Sequence, residues 1–325
     1  MTLGLFVCRC SFFNSYYHSY ANDVWALSSQ CENEQISVGR SYQGSSIDVS
    51  NCVFSRSSLF SGSGGVIYAS GGTYTIIISN SIFYNSSCND RGGAIYSDSS
   101  SSSIRMTCVH SCSALNEHFA YLQANQHLLE YISIGYCSPK ASGNYPFQMY
   151  KGSQRADYIN SSMNQAESCS GFYTAVPSSF SSSFCTFSNN NVSNSCCLEF
   201  AYNSGSMIFA NIVHNNSPQR GIIVDFMGSY NLNYCVFYSN QDTLFCLNSG
   251  SLTLSHCFIS HASTFSTSSS VATSNNNSFS KMQTYSQSYY YTGFCLIDHI
   301  LSPTQKHYSY NRESILILVL SAFLE

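Results

Sequence analysis

The chain has 325 residues, 44% of them apolar, so it can bury a core, while only 9% are charged against about 25% in an ordinary soluble domain. Its 12 Lys+Arg and 16 Asp+Glu give a formal charge of -4, which excludes the concentrated basic footprint that grips nucleic acid. With few charged residues to solvate helix faces, polar surface has to come from 67 Ser, 28 Asn and 25 Tyr.

Along the chain, residues 2–8 (TLGLFVC) are apolar but carry no basic lead-in, so no complete secretory signal is expected there. Residues 1–45 read as an N-terminal coil or cap with a long loop, in which Trp25 plugs the open end. Residues 46–285 read as repeats. GGVIYASGGTYTIIISNSIFYN (64–85) aligns with GGAIYSDSSSSSIRMTCVHSC (92–112), and weaker copies follow at 196–216, 221–240 and 243–261. Each copy has a short apolar stretch, a Gly/Ser/Asn turn, and a second alternating stretch. It ends in a small residue or Cys, one spacer, and a large anchor. The anchors are Phe12, Phe54, Phe83, His110, Ile134, Met163, Phe187, Val213, Phe237 and Ile259, with Met282 as an eleventh. Residues 286–325 read as a C-terminal cap. Their apolar run at 315–324 is either a terminal strand or the start of a truncated membrane anchor, since a spanning helix needs about 20 apolar residues.

After the first interval, successive anchors lie 22–29 residues apart. That is solenoid spacing with strand-like alternation, as at Tyr74, Ile76 and Ile78, and too short for helical repeats. The expected fold is all-β: a single-stranded parallel β-helix of about ten to eleven coils, right-handed by the general preference of parallel crossovers. At about 4.8 Å per coil it is a rod of about 50 Å. Two residues before the anchors, Cys10, Cys52, Cys108, Cys185, Cys235 and Cys257 fill six of ten positions. A small residue that tolerates burial suits an internal ladder, so mostly free, buried thiols are expected. The 16 Cys include no Cys-x-x-Cys pair, so no structural metal is expected.

The motif pair Phe-x-x-Asn and Gly-Gly-Ala-Ile resembles the repeats of polymorphic outer membrane proteins. The second half stands as Gly92-Gly93-Ala94-Ile95 and Gly64-Gly65-Val66-Ile67. The first stands as Phe187–Asn190 and Phe237–Asn240, with near matches at Val213–Asn216 and Phe83-Tyr84-Asn85. The resemblance implies a right-handed parallel β-helix on a cell surface, in adhesion. No strands of an outer-membrane barrel are read here. The Cys richness, the apolar terminus and the sequons at Asn85, Asn160, Asn191, Asn215 and Asn276 fit the protist branch of such proteins.

Chemistry is sparse. Asp48, Asp98 and Asp225 have no carboxylate at the equivalent position of the neighbouring coil compared (Ile77, Gly71 and Leu247), and no stacked carboxylate pair is expected. His110 reads as a packing residue in an anchor slot, and His256 and His261 as solvated turn residues. No catalytic, cofactor-binding or metal residue is singled out, and no cofactor is expected. The function read from the chain is a non-enzymatic cell-surface or secreted β-helix. Its partner would be a protein or glycan surface ligand, with no nucleic acid, and it could attach to a membrane through the C-terminal run. The alternatives are a carbohydrate-active, pectate-lyase-like β-helix with a degenerate site, or a gene fragment without independent function.

Overall fold

The structure is a computed structural model. It describes residues 46–260 apart from 60–61, 139–142 and 242, and short strands between residues 26 and 41 and at Val271–Thr273. Among the described residues there are only strands and turns, and every strand pairing is parallel. The expected parallel β-helix is what the chain forms.

Each turn of the helix contributes one strand to each of three faces. The first face carries Ile67–Ala69, Ile95–Asp98, Glu117–Gln123, Tyr145–Tyr150 and Cys169–Ala175 in successive coils. The second carries the alternating stretches, such as Ser46–Ser50, Thr75–Ser79 and Ser251–Ser255. The third carries the anchors, as in Val53–Ser55, Ile82–Tyr84 and Thr186–Ser188. From Ile67 to Ile259 there are eight complete turns, about 40 Å of rod. The ten or eleven coils expected also counted Phe12 and Met282, which lie outside the described residues. Pairing nevertheless extends to Ala26↔Arg40, inside the stretch read as a cap.

Register fixes the anchors. Ile36, Phe54, Phe83, Val109, Ile134, Ser161, Phe187, Ile212, Phe237 and Ile259 pair in one continuous column. Phe54, Phe83, Ile134, Phe187, Phe237 and Ile259 hold the slots assigned to them. Three assignments are corrected: Val109 replaces His110, Ser161 replaces Met163, and Ile212 replaces Val213. The cause is phase. In Asn211-Ile212-Val213, either β-branched residue satisfies the pattern, but only one can point inward. Ile212 is wholly buried in the core, whereas Val213 joins Val236 and Phe258 in a small cluster of its own. The first interval hides Ile36, 18 residues before Phe54. The core is one continuous cluster in which rings stack from coil to coil; Phe54 and Phe83 lie 4.9 Å apart and nearly parallel.

The register also explains the repeat motifs. Three residues after the column stand Ser57, Ser86, Cys112, Cys137, Asn164, Asn190, Asn215 and Asn240. The four asparagines form a ladder inside the corner. Asn190 Oδ1 accepts from the Asn164 N–H at 3.0 Å, Asn215 Oδ1 from Asn190 N–H at 3.0 Å, and Asn240 Oδ1 from Asn215 N–H at 3.0 Å. Each Nδ2 donates to a carbonyl one coil back, as Asn190 does to Ser161 at 2.8 Å. Phe-x-x-Asn is therefore a core residue plus a side chain that satisfies buried backbone groups. Gly-Gly-x-Ile closes the same connection, where the chain enters the first face. Gly64 and Gly92 have φ of 71° and 63°, and a Cβ on Gly93 would lie 2.1 Å from the His118 carbonyl oxygen.

The cysteine positions move with the register. Cys52, Cys185, Cys235 and Cys257 remain two before the column, alongside Ser81, Thr107, Ile132, Ile159 and Ala210. Ser81 Oγ, Thr107 Oγ1, Cys185 Sγ, Cys235 Sγ and Cys257 Sγ each donate to the carbonyl two residues earlier, at 2.8–3.4 Å. Where the position holds a small donor, that donor bonds its own strand, which Cys, Ser and Thr can all do; Ile132, Ile159 and Ala210 fill it by apolar packing instead. Cys108 falls one residue outside that ladder. Of the twelve cysteines between 46 and 260, ten are free and Cys52 and Cys108 are disulfide-bonded.

One column has no counterpart in the sequence reading. The corner between the second and third faces is left-handed in every described coil, at Asn51, Asn80, Met106, Tyr131, Tyr158, Phe184, Phe209, Tyr234 and His256, with φ between 47° and 58°. Asparagine tolerates this; bulky residues carry a cost of about 1–2 kcal/mol each. Here their rings stack along the rod, from Tyr131–Tyr158 at 4.5 Å to Tyr234–His256 at 4.6 Å, and such pairs return about 0.5–1.5 kcal/mol each.

Candidate functional site

The outer side of the first face carries one residue per coil in register: Tyr68, Tyr96, Tyr121, Gln148, Tyr173 and Glu199. The first three rings stack at 5.2 and 5.4 Å. Two irregularities then interrupt the ladder, one between Glu117 and Ala120, the other between Cys169 and Phe172. β-Bulges bend a strand and re-aim its side chains. Between these two, a groove of about 390 Å³ opens, lined by Arg91, Asn116, Glu117, Tyr121, Asn144, Tyr145, Gln148, Tyr150 and Tyr173.

Glu117 sits on the groove wall and is 2% exposed, and its Oε2 is buried without a hydrogen-bond partner. Burial pushes its carboxyl up to about 7, opposed by the Arg91 guanidinium and reinforced by Asp90. Glu199, two coils beyond the Tyr145 strand, is likewise raised to about 7 by burial, with Arg220 opposing. Burial also pushes the Tyr145 and Tyr173 phenols up, helped by the charge of Glu199, and Tyr121 up to about 12. Arg91 lies 4.9 Å over the Tyr121 ring. Tyr145 and Tyr173 stack at 4.4 Å, so their faces are mutually covered. Asn144 Nδ2 donates to Asn116 Oδ1 at 2.8 Å, and Ser168 Oγ donates to Asn144 Oδ1, which continues the polar wall.

Such a wall offers acceptors, donors and phenols to a polar ligand. Glu117 and Glu199 are three strand spacings apart, about 14 Å, beyond the roughly 5–10 Å that two carboxylates need to act on one glycosidic bond.

The expectation that no carboxylates stack is corrected on the second face, where Glu130 pairs directly with Asp157. Arginines engage both: Arg155 Nε lies 2.6 Å from Asp157 and its Nη2 3.7 Å from Glu130, and Arg105 Nε lies 3.2 Å from Glu130. Two arginines thus neutralise two adjacent acids on this face. In the sequence both acids lie in the repeats with the weakest anchors, where register is hardest to read.

The sequons divide by burial. Asn85 and Asn191 are exposed at corners. Asn160 is buried at 6% exposure, and Asn215 is fully buried in the asparagine ladder, so both are corrected as glycan acceptors of the folded chain. Asn276 lies outside the described residues, as do His261, Trp25 and the run at 315–324. His110 is no core residue; it is half-buried outside, with ring contacts to Tyr84 and Tyr136. His256 is half-buried against Tyr234. Among the described residues the buried histidines are His118 and His127, both lowered to about 4 by burial. The sequence signal missed was Glu117-His118 at the head of the strand EHFAYLQ, a titratable pair in a stretch with no other titratable group but Tyr121.

Among the described residues, no group of three or more His, Cys, Asp or Glu could hold a metal ion, and no helix is long and apolar enough to cross a membrane. Comparison with family models, curated proteins and solved structures returns no match for this chain.

Proposed function

We propose that this chain is a non-enzymatic cell-surface or secreted binding protein of the adhesin kind, akin to polymorphic outer membrane protein repeats, whose first face meets a protein or glycan partner. One observation carries the reading: a row of tyrosines along the outside of that face, leading into a polar groove between two bulges. Uncharged faces rich in Tyr, Ser and Asn suit polar contacts of modest affinity. The solenoid supports the row by repeating one outward position at each coil. The motif pair adds to this, because both halves have structural roles in the repeat. The test is binding of the purified chain to intact cells, matrix proteins and glycan-coated surfaces, against heat-unfolded chain. Saturable binding by the folded chain alone is the expected result; its absence from every surface overturns the reading.

The carbohydrate-active alternative rests on Glu130 and Asp157, one coil apart. Their engagement by Arg155 and Arg105 gives them a structural use instead.

A further inference from the structure

We propose that the groove between the two bulges is a subsite for a neutral sugar unit of a glycan, with Glu117 accepting from a ligand hydroxyl and Arg91 donating to a neighbouring ligand oxygen. The inference deepens the binding reading above and rests on it. Its starting point is the unpartnered Oε2 of Glu117, 2% exposed on the wall of a cavity. A buried acceptor without a donor costs about 1–3 kcal/mol, more when charged, and a ligand that brings a donor recovers that cost.

The rest of the wall selects the class. Its volume of about 390 Å³ falls at the small end of the roughly 300–1,000 Å³ of ligand sites. Asn116, Asn144, Gln148 and the phenols of Tyr145, Tyr150 and Tyr173 present mixed donors and acceptors, as a polyhydroxylated ring requires. A cationic ligand is disfavoured, because the Arg91 guanidinium already occupies the rim beside Glu117 and covers the Tyr121 face. An anionic ligand meets Asp90 and Glu117 together. A peptide strand has no edge to join, since the strands under the groove are hydrogen-bonded on both sides, Glu117–Gln123 to Ile95–Asp98 and Tyr145–Tyr150, and Tyr145–Tyr150 to Cys169–Ala175. A neutral sugar meets none of these objections.

The experiment uses the full chain on a printed array of neutral, amino-sugar and uronic-acid oligosaccharides, then calorimetry with the strongest free neutral oligosaccharide. Glu117→Ala, Tyr173→Phe and the distant exposed Thr253→Ala are compared, with unfolding curves confirming that each folds. The expected result is binding of neutral oligosaccharides, at least tenfold weaker in E117A, about threefold weaker in Y173F and unchanged in T253A. Y173F keeps the ring stack, so it reports on the groove even where E117A is unstable. A blank array with retained binding to cells or matrix overturns the groove and leaves the binding reading standing. A blank array with no binding to any surface overturns both. Unchanged affinity in E117A and Y173F, or binding restricted to amines, uronic acids or peptides, also overturns the proposal.

Discussion

The asparagine ladder predicts a large cost for Asn190→Ala. Asn190 is 1% exposed; its Oδ1 accepts from Asn164 N–H at 3.0 Å and its Nδ2 donates to Ser161 C=O at 2.8 Å. Truncation leaves the Asn164 backbone donor buried without a partner and removes a second bond from the Ser161 carbonyl, which stays in the sheet ladder. At about 1–3 kcal/mol for the orphaned donor and about 0.5–1.5 kcal/mol for the lost bond, the loss is about 1.5–4.5 kcal/mol, a large part of a typical domain's stability. The matched control is Asn194→Ala, four residues on, whose exposed side chain donates to Glu167 at 2.8 Å; its cost stays within about 0.5 kcal/mol. Guanidinium unfolding followed by circular dichroism reads both, and hydrogen exchange locates the weakened coil, since solenoid coils lean mainly on their neighbours. An N190A chain within 0.5 kcal/mol of the parent would refute the ladder as a stabilising element.

Other outcomes follow from the same geometry. Gly93→Ala puts a Cβ 2.1 Å from the His118 carbonyl oxygen and 2.5 Å from that of Ser113; neither backbone atom can swing away, so the variant fails to fold or melts far below the parent. Brief native alkylation, mapped by peptide mass, modifies Cys246 first among the ten free thiols between 46 and 260, because it alone is only half-buried; equal labelling of Cys185 or Cys235 contradicts the ladder. Glu117 and Glu199 have folded values raised to about 7 from 4.5, so their contribution to stability is full below pH 4.5 and falls as pH rises to 7. His118 and His127 are lowered to about 4 from 6.5, so theirs is full above pH 6.5 and is lost on acidification toward 4. The four oppose one another, and stability is nearly flat between pH 4.5 and 6.5. In the double variant E117Q/E199Q it instead rises with pH over that window, and an unchanged profile contradicts these burial effects.

Much of the fold was legible because a solenoid writes its geometry into one period. Phe54, Phe83, Phe187 and Phe237 recur with a small residue two before them, and that spacing alone gives the parallel stack. Phase was legible only where one residue dominated. At Val109-His110 and Ile212-Val213, two neighbours compete for the inward slot, and only pairing with Phe83 or Phe187 decides. The sequence marked Asn190 and Asn240 as motif residues, but their use as rungs depends on the corner's geometry. Asn215 illustrates the hazard: as a string it is a sequon, and in the corner it is a core residue. The groove was illegible for another reason. It arises from two register shifts that place Glu117 on the wall beside Tyr145, and no periodic reading locates an extra residue in a strand.

The measurement that tests the central claim most directly is where the chain stands in its own cell. An internally tagged chain is labelled on intact cells and treated with an N-glycosidase, alongside N85Q/N191Q and N215Q variants. A surface protein is labelled from outside, and its mobility shift is reduced in N85Q/N191Q and owes nothing to Asn215. A chain labelled only after permeabilisation, with no shift, contradicts the account of a surface binding protein.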